Sequence, residues 1–121
     1  MLADTETPRS ILIAEDELLV RLCVAEELRN AGCFVYEAQE AIDAIEVLES
    51  KPVDLLITDI RMPGTIDGIE LARRTRAKHP EIRIMLLSGN VKRETDRYDG
   101  IFTKPVRMSD LIAGVKKVLQ R

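Results

Sequence analysis

The chain has little from which to build a thiol or histidine site. Its 121 residues include two cysteines, Cys23 and Cys33, and one histidine, His79. The cysteines lack Cys-x-x-Cys spacing and the histidine is remote from both, which argues against zinc. Both thiols are expected to be reduced and buried, one on a helix and one entering a strand. No apolar run approaches the length of a membrane span. Residues 1–9 carry Asp4, Glu6 and Arg9 but no apolar core of the signal-peptide type. They read as a flexible tail on a cytoplasmic protein. Positive charge is not in excess: the net charge is −3, which argues against non-specific nucleic-acid binding as the main task. There is no internal repeat and no low-complexity linker. What remains is an ordinary globular composition, 45% hydrophobic and 32% charged, in a chain long enough for one domain with a real core.

The most informative stretch runs from Asp54 to Gly64. Leu55, Leu56 and Ile57 form a short apolar run that favours a buried strand. The strand ends in a carboxylate, Asp59, and Met62-Pro63-Gly64 must leave it. Ile11 to Ala14 is a second continuous run, expected to be buried on both faces. It ends in Glu15, Asp16 and Glu17. A helix follows to about Asn30, with Leu18, Leu22, Ala25 and Leu28 expected on its inner face, and Gly32 stops it. Cys33 to Tyr36 reads as a strand. Gln39 to about Glu49 reads as a helix, with Ala38, Ala41, Ile42, Ile45 and Leu48 facing inward, and Lys51-Pro52 breaks it.

Asp67 is placed to cap a helix that begins at Gly68 or Ile69 and ends at His79-Pro80. The Arg73, Arg74, Arg76 and Lys78 row reads as its solvated face. Ile82 to Leu87 is a fourth strand, followed by Ser88-Gly89-Asn90. Ile101 to Thr103 is a fifth, ended by Lys104-Pro105. A final helix carries the stripe Leu111, Ile112, Val115, Val118 and Leu119. Alternating strands and helices predict an α/β fold, a doubly wound five-stranded parallel sheet of flavodoxin-like order 2-1-3-4-5.

In that order the first and third strands are neighbours, so Glu15, Asp16 and Asp59 meet at one corner. Two carboxylates about 4 Å apart repel by roughly 4 kcal/mol at an effective dielectric near 20. Three cannot all stay ionised without a proton or a divalent cation. An open, all-oxygen site suits Mg²⁺. Lys104 and Ser88 end strands at the same edge. A lysine, a hydroxyl and Mg²⁺ around one carboxylate make a phosphoryl site, in which the carboxylate becomes an aspartyl phosphate.

Four motifs now stand together: Ile11-Leu12-Ile13-Ala14-Glu15-Asp16-Glu17, Leu56 to Gly64, Leu87-Ser88-Gly89 and Phe102-Thr103-Lys104-Pro105. With them the chain, from about Ser10 to its end, resembles the receiver domain of two-component response regulators. The strand order rests partly on this resemblance. The division it implies is a tail over 1–9 and a receiver domain over 10–121. The resemblance implies that Asp59 accepts a phosphoryl group from a histidine kinase or histidine phosphotransfer protein. Asp16 would bind Mg²⁺ directly, Glu15 through water, and the backbone carbonyl of Arg61 would add a ligand. Lys104 would pair with the phosphoryl group and Ser88 would bond it, with Gly89 leaving room. The expected output is a changed protein-binding face toward an unidentified partner, with a phosphorylation-dependent homodimer left open. Such a protein catalyses at most its own phosphorylation and dephosphorylation.

Three departures from the family pattern stand out. One extra residue lies between Pro63 and Asp67 and should only bulge a surface loop. Ile101 stands where the family's switch aromatic usually sits, with Tyr98 and Phe102 as candidate substitutes. Only 15 residues separate Ser88 from Lys104. A fourth helix between Asn90 and Gly100 is therefore expected to be short or irregular. The rival functions are a phosphohydrolase, a nucleotide or flavin binder, a receiver-like module signalling without phosphate, and a receiver cut from a longer DNA-binding regulator. Arg61 stands where the first rival wants a second acid, and Glu15 to Glu17 stand where the second wants a glycine-rich loop.

Overall fold

The computed structural model describes residues 8–88 and 98–120. The strands are β1 (Ser10–Ala14), β2 (Phe34–Ala38), β3 (Leu55–Asp59), β4 (Arg83–Ser88) and β5 (Gly100–Thr103). The helices are α1 (Leu18–Asn30), α2 (Ala41–Ser50), α3 (Gly68–Lys78) and α4 (Met108–Leu119). All strand pairs are parallel and the order is β2-β1-β3-β4-β5. The fold is thus the expected flavodoxin-like sheet. The helix expected between Asn90 and Gly100 falls mostly on residues outside those described, as do Gly89 and Asn90.

The apolar runs of β1, β3 and β4 are continuous because these strands are covered on both sides. Alternate residues divide between two layers. Ile11, Ile13, Leu55 and Ile57 pack against Val24, Ala25 and Leu28 of α1 and Leu111, Val115 and Val118 of α4. Leu12, Ala14 and Leu56 pack against Ala41, Ala44 and Leu48 of α2 and Leu71 of α3.

Two inward faces are corrected. In α1, Leu18 and Leu22 are 54% and 44% exposed, and the buried residues are Val24, Ala25 and Leu28. The true stripe is Arg21, Val24, Ala25, Leu28, an i, i+3, i+4, i+7 set whose first member is charged and so escaped an apolar count. In α2, Ile42 is exposed and Ala44 takes the inner position. The same rotation of α1 turns Cys23 outward, so of the two thiols only Cys33 is buried. Burial pushes the Cys33 thiol above its ordinary pKa.

α3 begins as expected. The Asp67 carboxylate accepts a bond from Glu70 N at 2.9 Å. Its basic row is solvated and paired: Arg73 and Arg74 with Glu70, Arg76 with Asp99, and Lys78 with Glu49. In the loop before it, Gly64 takes φ +98° and stays exposed with Thr65, while Ile66 turns into the core.

Gly68 locks α3 to the end of β3. Its N–H donates to Ile60 O at 2.8 Å. A Cβ there would lie 1.6 Å from the carbonyl oxygen of Asp59. Gly68→Ala is therefore expected to cost about 3 kcal/mol, the upper end for overpacking. Urea unfolding at an unchanged slope reads this directly. A loss below about 1 kcal/mol would mean that α3 slides off β3 freely.

Candidate functional site

The parallel sheet brings the ends of β1, β3, β4 and β5 to one edge. Glu15 follows β1 and is fully buried, Asp16 beside it is exposed, and Asp59 ends β3 at 7% exposure. Each offers a carboxylate oxygen, and these oxygens all lie within 4.8 Å of one another. At that separation two unit charges repel by about 3 kcal/mol at an effective dielectric near 20, less where Asp16 meets water.

Lys104, just past β5, reaches into this corner. Its Nζ lies 3.0 Å from Asp59 Oδ2 and 2.7 Å from Glu15 Oε1. The bond to Asp59 is well formed. The contact with Glu15 Oε1 is a close charge pair without hydrogen-bond alignment, so this buried oxygen has no aligned donor. Burial raises the Glu15 carboxyl above its ordinary pKa, with Asp59 adding to the effect and Lys104 and the Glu17 N–H opposing it. Burial would lower the Lys104 ammonium, but the negative charges of Glu15 and Asp59 beside it outweigh this and the net shift is upward.

The backbone aims these groups. Arg61 N lies 3.3 Å from Asp59 Oδ1. Glu15 Oε2 accepts from Glu17 N at 3.0 Å. Lys104 N donates to Ser88 O at 2.7 Å, and the Lys104-Pro105 peptide that follows is cis. Ser88 ends β4, 3% exposed and paired with Thr103. Leu87 pairs with Asp59, which puts Ser88 one residue beyond the carboxylate on the neighbouring strand. Glu15, Asp16, Asp59, Lys104 and Ser88 thus share one sheet edge, with Arg61 on the loop leaving β3.

Three carboxylates whose oxygens converge within 4.8 Å are the ligand chemistry of a hard divalent cation. The residues present fit Mg²⁺.

The two aromatics weighed for the Ile101 position separate. Ile101 and Tyr98 pack with Ala72, Ile84 and Leu86 on the α3 side. Ser88 alternates in phase with Ile84 and Leu86, so it belongs to that side too. Phe102 packs on the other layer, where a Cβ on Gly114 of α4 would meet its ring at 2.3 Å. Of the two, only Tyr98 shares Ser88's face. Sequence reading passed over Arg21, whose guanidinium donates to Glu15 O at 2.9 Å. The signal available for it was a charged residue at the head of a buried stripe.

Beside the site a groove of about 450 Å³ opens between α1 and the segment after β5. Leu19, Cys23, Lys104, Pro105, Val106 and Met108 line it. Leu18, Leu19 and Leu22 lie exposed along the same helix.

Comparison with known proteins finds a family model, the response regulator receiver domain, matching residues 11–116. The response regulator receiver protein CpdR of Brucella abortus is 35% identical, over 92% of this chain and 97% of its own length. The transcriptional regulatory protein PdtaR of Mycobacterium tuberculosis is 37% identical over 98% of this chain, which spans 60% of PdtaR. Among solved structures, the response regulator TrrA of Thermotoga maritima, in complex with Mg²⁺-BeF, matches with a TM-score of 0.83 and 31% identity. The match covers 91% of this chain and 98% of that one.

The crowding has a measurable consequence. In divalent-free buffer, Asp59→Asn is expected to raise stability by about 1 kcal/mol, because it relieves repulsion at a corner where acids outnumber cations. The pH dependence follows from Glu15. Its native pKa is raised above 4.5, so the native state binds this proton more readily than the unfolded chain. The resulting penalty is fully present at neutral pH and is relieved as pH falls through the native value toward 4.5. That relief should be smaller in Asp59→Asn, since the Asp59 charge contributes to the shift. Urea unfolding at two pH values measures both effects. A neutral-pH loss of stability in Asp59→Asn would contradict this account.

Proposed function

The chain belongs to the response regulator receiver domain family, a family of signalling phosphoacceptors, and on that premise we propose that Asp59 receives a phosphoryl group from a phosphohistidine donor. The observation that carries the proposal is the corner itself. One ammonium bridges two buried carboxylates, and a third carboxylate completes a cation pocket.

In the transfer, an Asp59 carboxylate oxygen forms a bond to phosphorus as the phosphorus–nitrogen bond to the donor histidine breaks. The electron pair leaves with the imidazole, which takes up a proton. Lys104 stands 3.0 Å from Asp59 Oδ2 and is placed to hold the charge of the incoming phosphoryl oxygens. Glu15 and Asp16 would hold Mg²⁺ with Asp59, and the Arg61 carbonyl would supply a further ligand. When bound, the ion neutralises phosphoryl charge. The Ser88 hydroxyl bonds a phosphoryl oxygen, and this change at the end of β4 passes to the neighbouring β5 and α4 surface, where a partner protein reads it.

The donor must present its phosphohistidine beside Lys104. The groove there is largely apolar and includes the exposed Leu19 of α1, which suits an apolar helical face. We assign it to the histidine kinase or histidine phosphotransfer protein.

Intact mass after incubation with acetyl phosphate tests the chemistry. One phosphoryl group should be gained, and the gain should need both Mg²⁺ and Asp59, so Asp59→Asn should gain none. A gain that survives this substitution overturns the assignment of Asp59. Absence of gain both from acetyl phosphate and from a phosphorylated histidine donor overturns phosphoacceptance. Leu19→Arg is expected to slow transfer from the protein donor about tenfold, which corresponds to about 1.4 kcal/mol. It should leave the acetyl phosphate rate near native. Equal slowing with both donors would place Leu19 in the chemistry and not in docking.

A further inference from the structure

We infer that Arg21 is a positioning residue for the acidic pocket and that Glu37, on the edge strand, holds it there. The inference rests on the Mg²⁺ reading of that pocket.

Arg21 lies on the buried stripe of α1, and its side chain is 14% exposed. Side chains on a helix lean toward its N-terminus. The guanidinium is thereby carried back to the sheet edge where Glu15 sits. One of its nitrogens donates to Glu15 O at 2.9 Å, and Nε pairs with Glu37 Oε1 at 3.3 Å. Glu37 belongs to β2, opposite Ile13 in register. Its other oxygen meets Arg29 at 3.1 Å, and Arg29 in turn donates to Val35 O. Two arginines of α1 therefore grip the edge strand, and one of them also grips the peptide that joins Glu15 to Asp16.

That peptide precedes one proposed Mg²⁺ ligand and follows the other. Its orientation decides where both carboxylates point. Glu15 is otherwise fixed by its N–H, which donates to Ala38 O at 3.0 Å, and by Oε2, which accepts from Glu17 N. Arg21 closes the remaining freedom at the carbonyl. The Glu15 side chain is left with one buried oxygen, Oε1, lacking an aligned donor.

The sign of the effect separates this role from a bystander's. A cation near a metal site repels Mg²⁺, so removing the arginine tightens binding if charge is all that matters. Removing it weakens binding if it positions the ligands.

The experiment is an Mg²⁺ titration of the full chain, followed by the backbone amide shifts of Asp16 and Glu17. The variants are Arg21→Met, Arg21→Lys and Glu37→Gln, with Leu48→Ala as a control. Leu48 is buried in the opposite layer, so its truncation lowers stability without touching the pocket. Arg21→Met is expected to weaken Mg²⁺ about tenfold, the scale of losing a partner that orients a metal ligand. Arg21→Lys keeps the charge but cannot span both Glu15 O and Glu37, so it should fall between. It carries the test if Arg21→Met does not fold. Glu37→Gln loses the charge that holds Arg21 and should weaken Mg²⁺ in the same direction by a smaller factor, about threefold, and native affinity there would remove Glu37 from the inference. Leu48→Ala should match native affinity. Unchanged or tighter binding in both Arg21 variants overturns the inference. If the native chain itself shows no saturable Mg²⁺ shift, the Mg²⁺ reading of the pocket fails, and this inference with it.

Discussion

Three carboxylates and one ammonium crowd the open edge of a parallel sheet, and much else in the molecule is arranged around that conflict. The ammonium of Lys104 touches the two buried acids, Glu15 and Asp59. It cannot neutralise three. Burial makes the excess more costly, because water that would screen Glu15 is absent. The corner therefore favours anything that brings positive charge, whether a proton or a divalent ion. A phosphoryl group adds negative charge to the same spot. Under the proposed function it would be tolerable only with a cation already present, which would tie the acceptor chemistry to a metal. The apolar sheet below supplies stability that the corner spends, a common trade between function and folding free energy.

How much of this was legible in the sequence depends on how local each signal was. The strands were, because parallel strands buried on both faces read as unbroken apolar runs, and Ile11 to Ala14 and Leu55 to Ile57 are such runs. The corner was legible for the same reason. Once strands and their order are set, the residues that end them must share an edge. Glu15, Asp16, Asp59, Ser88 and Lys104 needed no contact information to be placed together. The Asp67 cap and the Pro80 stop were likewise punctuation that acts within a few residues.

The helix faces were less legible where polar and apolar residues exchange roles. In α1 the exposed leucines Leu18, Leu19 and Leu22 outnumber the buried aliphatics of its first two turns. A count of apolar spacing follows the leucines and mistakes a surface for a core. The buried stripe begins with Arg21, which is covered because its donors are satisfied by Glu15 O and Glu37. Only the tertiary partners reveal that. The partition of Tyr98 and Phe102 to opposite layers also needed the third dimension. It turns on strand phase and on the absence of a side chain at Gly114, a position far away in sequence.

The acids of the corner differ in how firmly they are held, and the difference suits a reversible site. Glu15 is tied at its N–H, its carbonyl and one carboxylate oxygen, so it offers Oε1 from a nearly fixed position. Asp59 is tied more loosely, by one bond to Lys104 and a long one from Arg61 N. Asp16 is exposed. A rigid ligand reduces the ordering that binding a cation requires, while an exposed one lets water enter and the ion leave. As the proposed nucleophile, Asp59 would have to shift as its oxygen forms a bond to phosphorus, and a carboxylate held at every lone pair would resist. A glutamate at position 15 fits the anchored role, because its extra methylene lets Oε2 curl back to Glu17 N while Oε1 still faces Lys104. The burial that raises its pKa is the cost of that anchoring.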